Sequence, residues 1–434
     1  MTTTIIGHGY VGLVTACVFA DLGNTVYVIG RNADKIKRLQ KGDPLIYEPG
    51  LKELLEKNIK GKRIFFTTSY QNPISHSDVV FIAVGTPPQK TGEADLSSVM
   101  TVAEHIGKNL KKGYTVISCK STVPIGTNRK IAALIEKVKP TSSTFDIASC
   151  PEFLREGSAI TDTFKPDRLV IGSNSKKAIE KLLILHKSLA GKRVIVGLES
   201  AEIIKYASNS ILATKISFAN LVSFLCEKTG ADVGEVLDGV GLDNRIGHVF
   251  FDAGIGYGGS CFPKDIKALV QTGESLSVDM SLLRAVEEIN QNARTYFLKK
   301  IIDLKNKKHI GIWGLSFKPH TDDVRDAPSL YIINELLKRE YKIKVYDPEA
   351  MDNIKRIFGD RLTYCKNPYD VVKNIHILTI LTEWNEFKHI DLTKVKKCMK
   401  ELYIIDGRNI YSPKDMLQLG FHYISVGRKK VPII

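Results

Sequence analysis

The chain opens on short apolar, β-branched runs separated by stretches with helical spacing. Residues 3–6 and 25–29 read as strands around a helix over 11–21, and residues 78–84, 115–118, 145–148 and 168–171 repeat the strand pattern. Strands alternating with helices predict a parallel sheet with crossover helices. Gly and Pro punctuate the strand ends, as in Gly85-Thr86-Pro87-Pro88 and Pro124-Ile125-Gly126. The period changes over residues 199–228. There Ile203, Ile204, Ala207, Ile211, Leu212 and Ala213, then Ile216, Phe218, Leu221, Val222 and Leu225, keep apolar residues on a helical face. This predicts a helix of about 28 residues, roughly 40 Å long, joining two domains and leaving a face for a partner subunit; two shorter helices with a kink are the alternative. Helical spacing resumes over 264–271 and 280–300, after a glycine-rich stretch. Residues 308–314, 342–346, 375–381 and 402–405 read as strands again. The fold class is therefore α/β, with two Rossmann-like parallel-sheet domains joined by a long central helix and a helical middle domain. The expected boundaries are 1–198, 199–298 and 299–434.

At 434 residues the chain is too long for one ordinary domain, and 43% hydrophobic against 25% charged residues predicts a packed core. The first residues run straight into a strand, without the profile of a secretory signal. No run approaches the about 18 apolar residues that cross a bilayer, so a cytoplasmic protein without membrane contact is expected. The seven cysteines include no CxxC or CxxH pair, so no metal site is expected, and their odd number and wide spacing suit reduced thiols. The net charge of +15 fits either nucleic acid or small polyanions. The lysines are scattered, and no basic arm or nucleic-acid motif accompanies them, so no nucleic-acid partner is expected.

The candidate chemistry begins at Gly7-His8-Gly9-Tyr10-Val11-Gly12, a GxGxxG between a strand and a helix. Its glycines permit a tight turn and bring a pyrophosphate close to the helix N-terminus, where free N–H groups favour anions. The acidic residue expected at the end of the second strand, for the ribose 2′-hydroxyl, is missing; Gly30-Arg31-Asn32 stands there. Arg31 is either a partner for a 2′-phosphate or a solvated residue, so NAD and NADP both stay open. A second motif, Gly256-Tyr257-Gly258-Gly259-Ser260-Cys261-Phe262-Pro263-Lys264-Asp265, places a thiol on a tight loop, with Lys264 near enough in sequence to lower its pKa. Cys150-Pro151-Glu152-Phe153-Leu154-Arg155-Glu156-Gly157 puts two carboxylates near a sheet end. Lys205 and Asn209 are four apart on the long helix, hence on one face.

These motifs, together with Ser121-Thr122-Val123-Pro124 and Gly314-Leu315-Ser316-Phe317-Lys318-Pro319, stand in the order of the UDP-glucose/GDP-mannose dehydrogenase family, which the chain resembles over nearly its whole length. Phe262 in the cysteine motif resembles the branch acting on UDP-glucose, where GDP-mannose enzymes usually have Leu. The resemblance implies a four-electron oxidation of the sugar 6-hydroxyl to a carboxylate, with two cofactor molecules reduced. It implies that Cys261 captures the aldehyde as a thiohemiacetal that becomes a thioester, and that Lys205 steadies the oxyanion with Asn209 beside it. Glu152 then handles protons, with Thr122 and Asp265 as polar neighbours. The cofactor residues implied are Gly7, Gly9, Tyr10, Val11, Gly12, Arg31, Thr86, Thr122, Glu156, Lys264 and Arg325. For the sugar nucleotide they are Phe153, Leu154, Arg155, Lys205, Asn209, Phe250, Gly254, Lys318 and Arg408, with Arg245 reaching across a subunit interface. A homodimer through the central helix is expected. GDP-mannose as substrate, or a non-catalytic sugar-nucleotide-binding protein on the same fold, are the rivals.

Overall fold

The structure, a computed structural model, describes residues 1–429; residues 430–434, the end of the expected third domain, lie outside the described residues. The chain makes two compact units, Met1–Ser208 with Lys267–Val278 and Asn209–Ile266 with Asp279–Ile434.

The first unit is built on an eight-stranded sheet of β1 (Thr2–Ile6), β2 (Thr25–Ile29), β3 (Ile64–Thr67), β4 (Val79–Ile82), β5 (Gly113–Cys119), β6 (Ser143–Ser149), β7 (Arg168–Gly172) and β8 (Lys192–Val196). Their order is β3-β2-β1-β4-β5-β6-β7-β8. Alternation along each strand sorts the core. Ile5, Val28, Phe81 and Val116 pack with Leu13, Val18 and Phe19 of the helix Tyr10–Asp21. Ile6, Ile29, Ile82 and Ile117 face the other way, onto Val99, Ile106, Ile131 and Ile135. Burial on both faces is why these strands read as continuous apolar runs.

The sheet corrects one expectation, because it is not wholly parallel. β7 meets β6 antiparallel through the single pair Ser149↔Gly172, and β8 then runs parallel to β7. The chain between β6 and β7 forms a loop and the six-residue helix Ala159–Phe164, which packs on the helix Tyr10–Asp21 instead of making a full crossover.

The second unit carries β9 (His309–Trp313), β10 (Lys342–Tyr346), β11 (Thr363–Tyr364), β12 (Ile377–Ile380), β13 (Tyr403–Asp406) and β14 (His422–Ser425). Their order, β11-β10-β9-β12-β13-β14, repeats that of the first six strands of the other sheet. All neighbours are parallel.

The central helix is one element, Leu198–Thr229, of 32 residues, so the kinked pair is not what forms. It also corrects the membrane reading of the sequence. By length and composition it could cross a bilayer, with an 18-residue window of mean hydropathy 1.2. Counting uninterrupted apolar residues missed it, because averaging tolerates the interspersed Ser and Asn. Two of its buried polar groups are bonded to protein: Ser217 Oγ donates to Val286 O at 2.8 Å, and Asn220 Oδ1 accepts from Gly254 N at 2.8 Å. Those bonds belong to a core helix of a folded unit.

Candidate active site

In the first unit the three glycines of the opening motif divide their work. Gly7 has φ +117, and a Cβ there would lie 2.2 Å from Ala83 O; a Cβ on Gly12 would lie 2.1 Å from Gly7 O. Both are required by the turn and by the seating of the helix. A Cβ on Gly9 would meet nothing within 4 Å. Its bareness serves no internal contact and leaves the approach to the helix N-terminus open to a ligand backbone. That N-terminus has no side-chain cap and no acidic residue in its first turn, so an anion meets no competitor there. Thr86, beyond the end of β4, donates to the carbonyl of Thr122, beyond β5, at 2.8 Å. Thr122's loop is fastened by Glu202, which accepts from Gly126 N at 2.6 Å and from Asn128 N at 2.9 Å.

At the end of β2 the space above Gly30 is filled by His8. A Cβ on Gly30 would lie 2.2 Å from His8 Cδ2, so no side chain fits at that position while His8 stays. Arg31 is exposed. Burial, and then Lys35 and Arg31, hold the His8 pKa below its ordinary value.

Glu152 and Lys205 form a buried ion pair, Nζ to Oε1 at 3.0 Å, with 9% and 4% of each residue exposed. Glu152 also accepts from Leu154 N at 2.7 Å. Phe153 lies beneath two cations, with Arg168 Cζ 4.0 Å and Lys205 Nζ 5.3 Å from its ring centroid. Lys120 is buried and donates to Cys150 O at 3.2 Å; burial lowers its pKa. Arg155 is exposed and bonded to Asp162 through Nη2 at 2.8 Å and Nε at 3.0 Å, while Glu156 is half-buried.

In the second unit Cys261 immediately precedes the helix Phe262–Ser275, and its carbonyl accepts the first helical bond, from Asp265 N at 2.9 Å. A helix N-terminus favours thiolate over thiol. Cys261 is the one exposed cysteine of the seven. Cys17 and Cys119, by contrast, are pushed up to about 12 by burial. Lys264 also has a carboxylate partner. Its Nζ sits 2.6 Å from Asp265 Oδ1. Asp265 is buried, and its other oxygen accepts from Asn209 Nδ2 at 2.6 Å.

The cysteine loop is clamped by residues the motifs did not disclose. Asn290 Oδ1 accepts from Tyr257 N at 2.7 Å and Asn290 Nδ2 donates to Tyr257 O at 3.2 Å. One turn on, Arg294 donates to Tyr257 O at 2.6 Å and to Asp326 O at 3.1 Å. Gly259 N donates to Arg325 O at 2.8 Å, and a Cβ on Gly259 would press on the Phe317 ring at 2.9 Å. Arg408 donates through Nη2 to Phe317 O at 3.3 Å and borders Gly254, while Lys318 Nζ lies 5.5 Å from the Phe317 ring centroid. The structure therefore gathers Gly254, Lys318 and Arg408 around Phe317. Asp406 fixes the loop of Arg408, accepting its N–H at 2.8 Å. Phe250, His320, Asp326 and Asn409 take left-handed φ values of 61, 62, 48 and 55°, a strain that persists where surroundings impose it. Arg325 is paired with Asp323 at 2.7 Å, and Arg245 with Asp243 at 2.6 Å.

Comparison with known proteins decides the family. Three family models match in order: the NAD binding domain of the UDP-glucose/GDP-mannose dehydrogenase family over residues 1–190, its central domain over 199–292 and its UDP binding domain over 311–413. The chain belongs to the UDP-glucose/GDP-mannose dehydrogenase family. It is 46% identical to the UDP-glucose 6-dehydrogenase TuaD of Bacillus subtilis, covering 98% of this chain and 93% of that one. A UDP-glucose 6-dehydrogenase of Pseudomonas aeruginosa is 40% identical, over 99% of this chain and 98% of its own. The solved structure of a UDP-glucose dehydrogenase from the archaeon Pyrobaculum islandicum aligns with TM-score 0.90 at 37% identity, covering 98% of this chain and 96% of that one.

In this dehydrogenase the matched models name the first sheet's region an NAD binding domain and the second's a UDP binding domain, and the two loops after their first strands differ. The loop after β9 has donors like those after β1, but Asp347, just past β10, already accepts from Leu315 N at 2.7 Å and Ser316 N at 3.1 Å. Trp384 Nε1 joins the same oxygen at 3.1 Å. The corresponding position in the first sheet is Gly30, which carries no carboxylate.

Proposed function

We propose that this NAD-dependent dehydrogenase oxidises UDP-glucose to UDP-glucuronate through covalent capture on Cys261. The observation that carries the reading is the single exposed thiol, set at a helix N-terminus on a clamped loop. NAD supplies the hydride acceptor and fits the open glycine loop of the first unit. In this reading Glu152 takes the hydroxyl proton through water, and Thr122 and Asp265 are assigned to the same proton chemistry, as hydride leaves the alcohol carbon. The Cys261 thiolate adds to the resulting aldehyde, and Lys205, with Asn209 beside it, steadies the oxyanion. A second hydride passes to a second NAD and leaves a thioester; water attacks it, the thiolate departs and the carboxylate remains. Splitting a hard oxidation into steps is what a covalent nucleophile contributes, and the fixed cation acts where charge develops. Tyr10, Val11, Thr86, Glu156, Lys264 and Arg325 are assigned to the cofactor. Phe153, Leu154, Arg155, Phe250, Gly254, Lys318 and Arg408 are assigned to the sugar nucleotide.

NADP is accepted as well, in this reading, because Gly30 removes the carboxylate that repels a 2′-phosphate and Arg31 is exposed to pair with one. The enzyme works as a homodimer. Ile211, Phe218, Leu221 and Leu225 lie at heptad-like spacing on the central helix and are 59, 50, 47 and 63% exposed, an apolar stripe that a second copy would cover. Arg245 then serves the partner's substrate. A reduced thiol nucleophile and a nicotinamide cofactor support a cytoplasmic location in this reading. The test is reduction of NAD by purified protein with UDP-glucose, with GDP-mannose as control. Reduction with GDP-mannose alone would move the substrate assignment to that sugar nucleotide.

A further inference from the structure

Glu48 stands outside every motif used above, yet its carboxylate joins two of them. It is 6% exposed and precedes the helix Leu51–Lys60. Its Oε2 accepts from the Tyr10 hydroxyl and from Gly157 N at 2.6 Å, and its Oε1 accepts from Ala159 N at 2.6 Å. Gly157 N also lies 3.1 Å from Tyr10 Oη, and Tyr10 Oη lies 3.2 Å from Tyr47 O. Tyr10 is the first residue of the helix whose N-terminus the proposed reading assigns to the cofactor. Gly157, at φ +83, closes the run that begins with Glu152 and contains Phe153, Leu154 and Arg155.

Burying a carboxylate on neutral donors carries a desolvation cost that an apolar residue would avoid. All three donors are N–H or O–H groups, so only an acceptor on both oxygens satisfies them; an amide would set its own N–H against one of them. Burial, and then Glu48, push the Tyr10 phenol above its ordinary range, which keeps its proton on the bridge.

We infer that Glu48 is a positioning residue that ties the cofactor loop to the loop bearing Glu152, so that ordering either loop orders the other. The inference rests on the proposed reading for its choice of ligands, UDP-glucose and NAD. It goes beyond that reading in making the two binding events energetically coupled through one carboxylate.

The test compares wild type, Glu48→Gln, Tyr10→Phe and the double variant. NADH affinity is read by its fluorescence, with and without UDP-glucose, and KM values come from initial rates. In Glu48→Gln, NADH affinity and the KM for UDP-glucose should both worsen by about tenfold, with the melting temperature near that of wild type. UDP-glucose should tighten NADH in wild type and do so far less in the variant. The double variant should be little worse than Glu48→Gln alone, because both changes break one bridge. Loss at only one ligand, full additivity, or both constants within about twofold of wild type would overturn the inference. Should Glu48→Gln not fold, Tyr10→Phe removes only a hydroxyl from the cofactor side, and an unchanged KM for UDP-glucose there overturns it equally. NADH binding without sugar nucleotide needs no turnover, so a failure of UDP-glucose as substrate shows separately, in the wild type.

Discussion

Cys261 shows how position sets the reactivity of a side chain that occurs seven times in the chain. Six copies are buried or half-buried, and only this one is exposed at a helix N-terminus. Cys261→Ser should lower kcat by about a thousandfold, with no acid formed, while UDP-glucose binding by calorimetry stays close to wild type. Arg31 is the residue with which to test cofactor choice. Arg31→Glu should cut kcat/KM with NADP by about tenfold and spare NAD; equal losses with both would assign Arg31 to the surface. Asn290→Ala strips two bonds from a buried peptide and should cost about 2 kcal/mol in urea unfolding, with a fall in kcat from a loosened Cys261 loop. The cysteine motif was legible because its residues are contiguous. Asn290 and Arg294 were not, because polar residues four apart on a helix read as a solvated face. The Glu152–Lys205 bond spans 53 positions, a distance at which spacing carries no information about contact.

At the scale of elements, the interior strands were legible and the edges were not. β3, β8, β11 and β14, the outer strands of the two sheets, all escaped notice. Interior strands are buried on both faces and read as apolar runs, whereas β3 alternates buried and exposed residues after Lys60-Gly61-Lys62-Arg63 and β11 has two residues. β7 was found as a strand, but its antiparallel entry depends on where the short helix Ala159–Phe164 packs, which local pattern does not carry. The long helix was legible as a helix, and its exposed stripe makes a prediction at the same scale. Leu221→Glu with Leu225→Glu should convert a dimer into a species of 48.3 kDa by light scattering. A wild type that already scatters at that mass would remove the dimer.

For the whole molecule, two sheets of largely one topology match two different domain models, an NAD binding domain and a UDP binding domain. Asp347 accepts from two N–H groups of the loop after β9, and Gly30 stands at the corresponding place after β2. The molecule also carries a built-in acid sensitivity. His186 is 1% exposed, edge-on to Phe19 at 5.2 Å, and burial pushes its pKa down from 6.5 to about 3. The unfolded chain protonates this imidazole below pH 6.5, while the folded chain does so only near pH 3. Its contribution to stability is therefore full above pH 6.5 and lost as the pH falls toward 3, at up to about 1.4 kcal/mol per pH unit. Unfolding free energies measured between pH 7 and pH 5 should fall less steeply in His186→Gln than in wild type.

The central claim is the four-electron oxidation, and stoichiometry tests it most directly. Purified protein is given limiting UDP-glucose and excess NAD, and NADH absorbance is followed to its end point. The account predicts two equivalents of NADH per UDP-glucose, with UDP-glucuronate as the product. One equivalent with accumulating aldehyde, or no NADH at all, would contradict it.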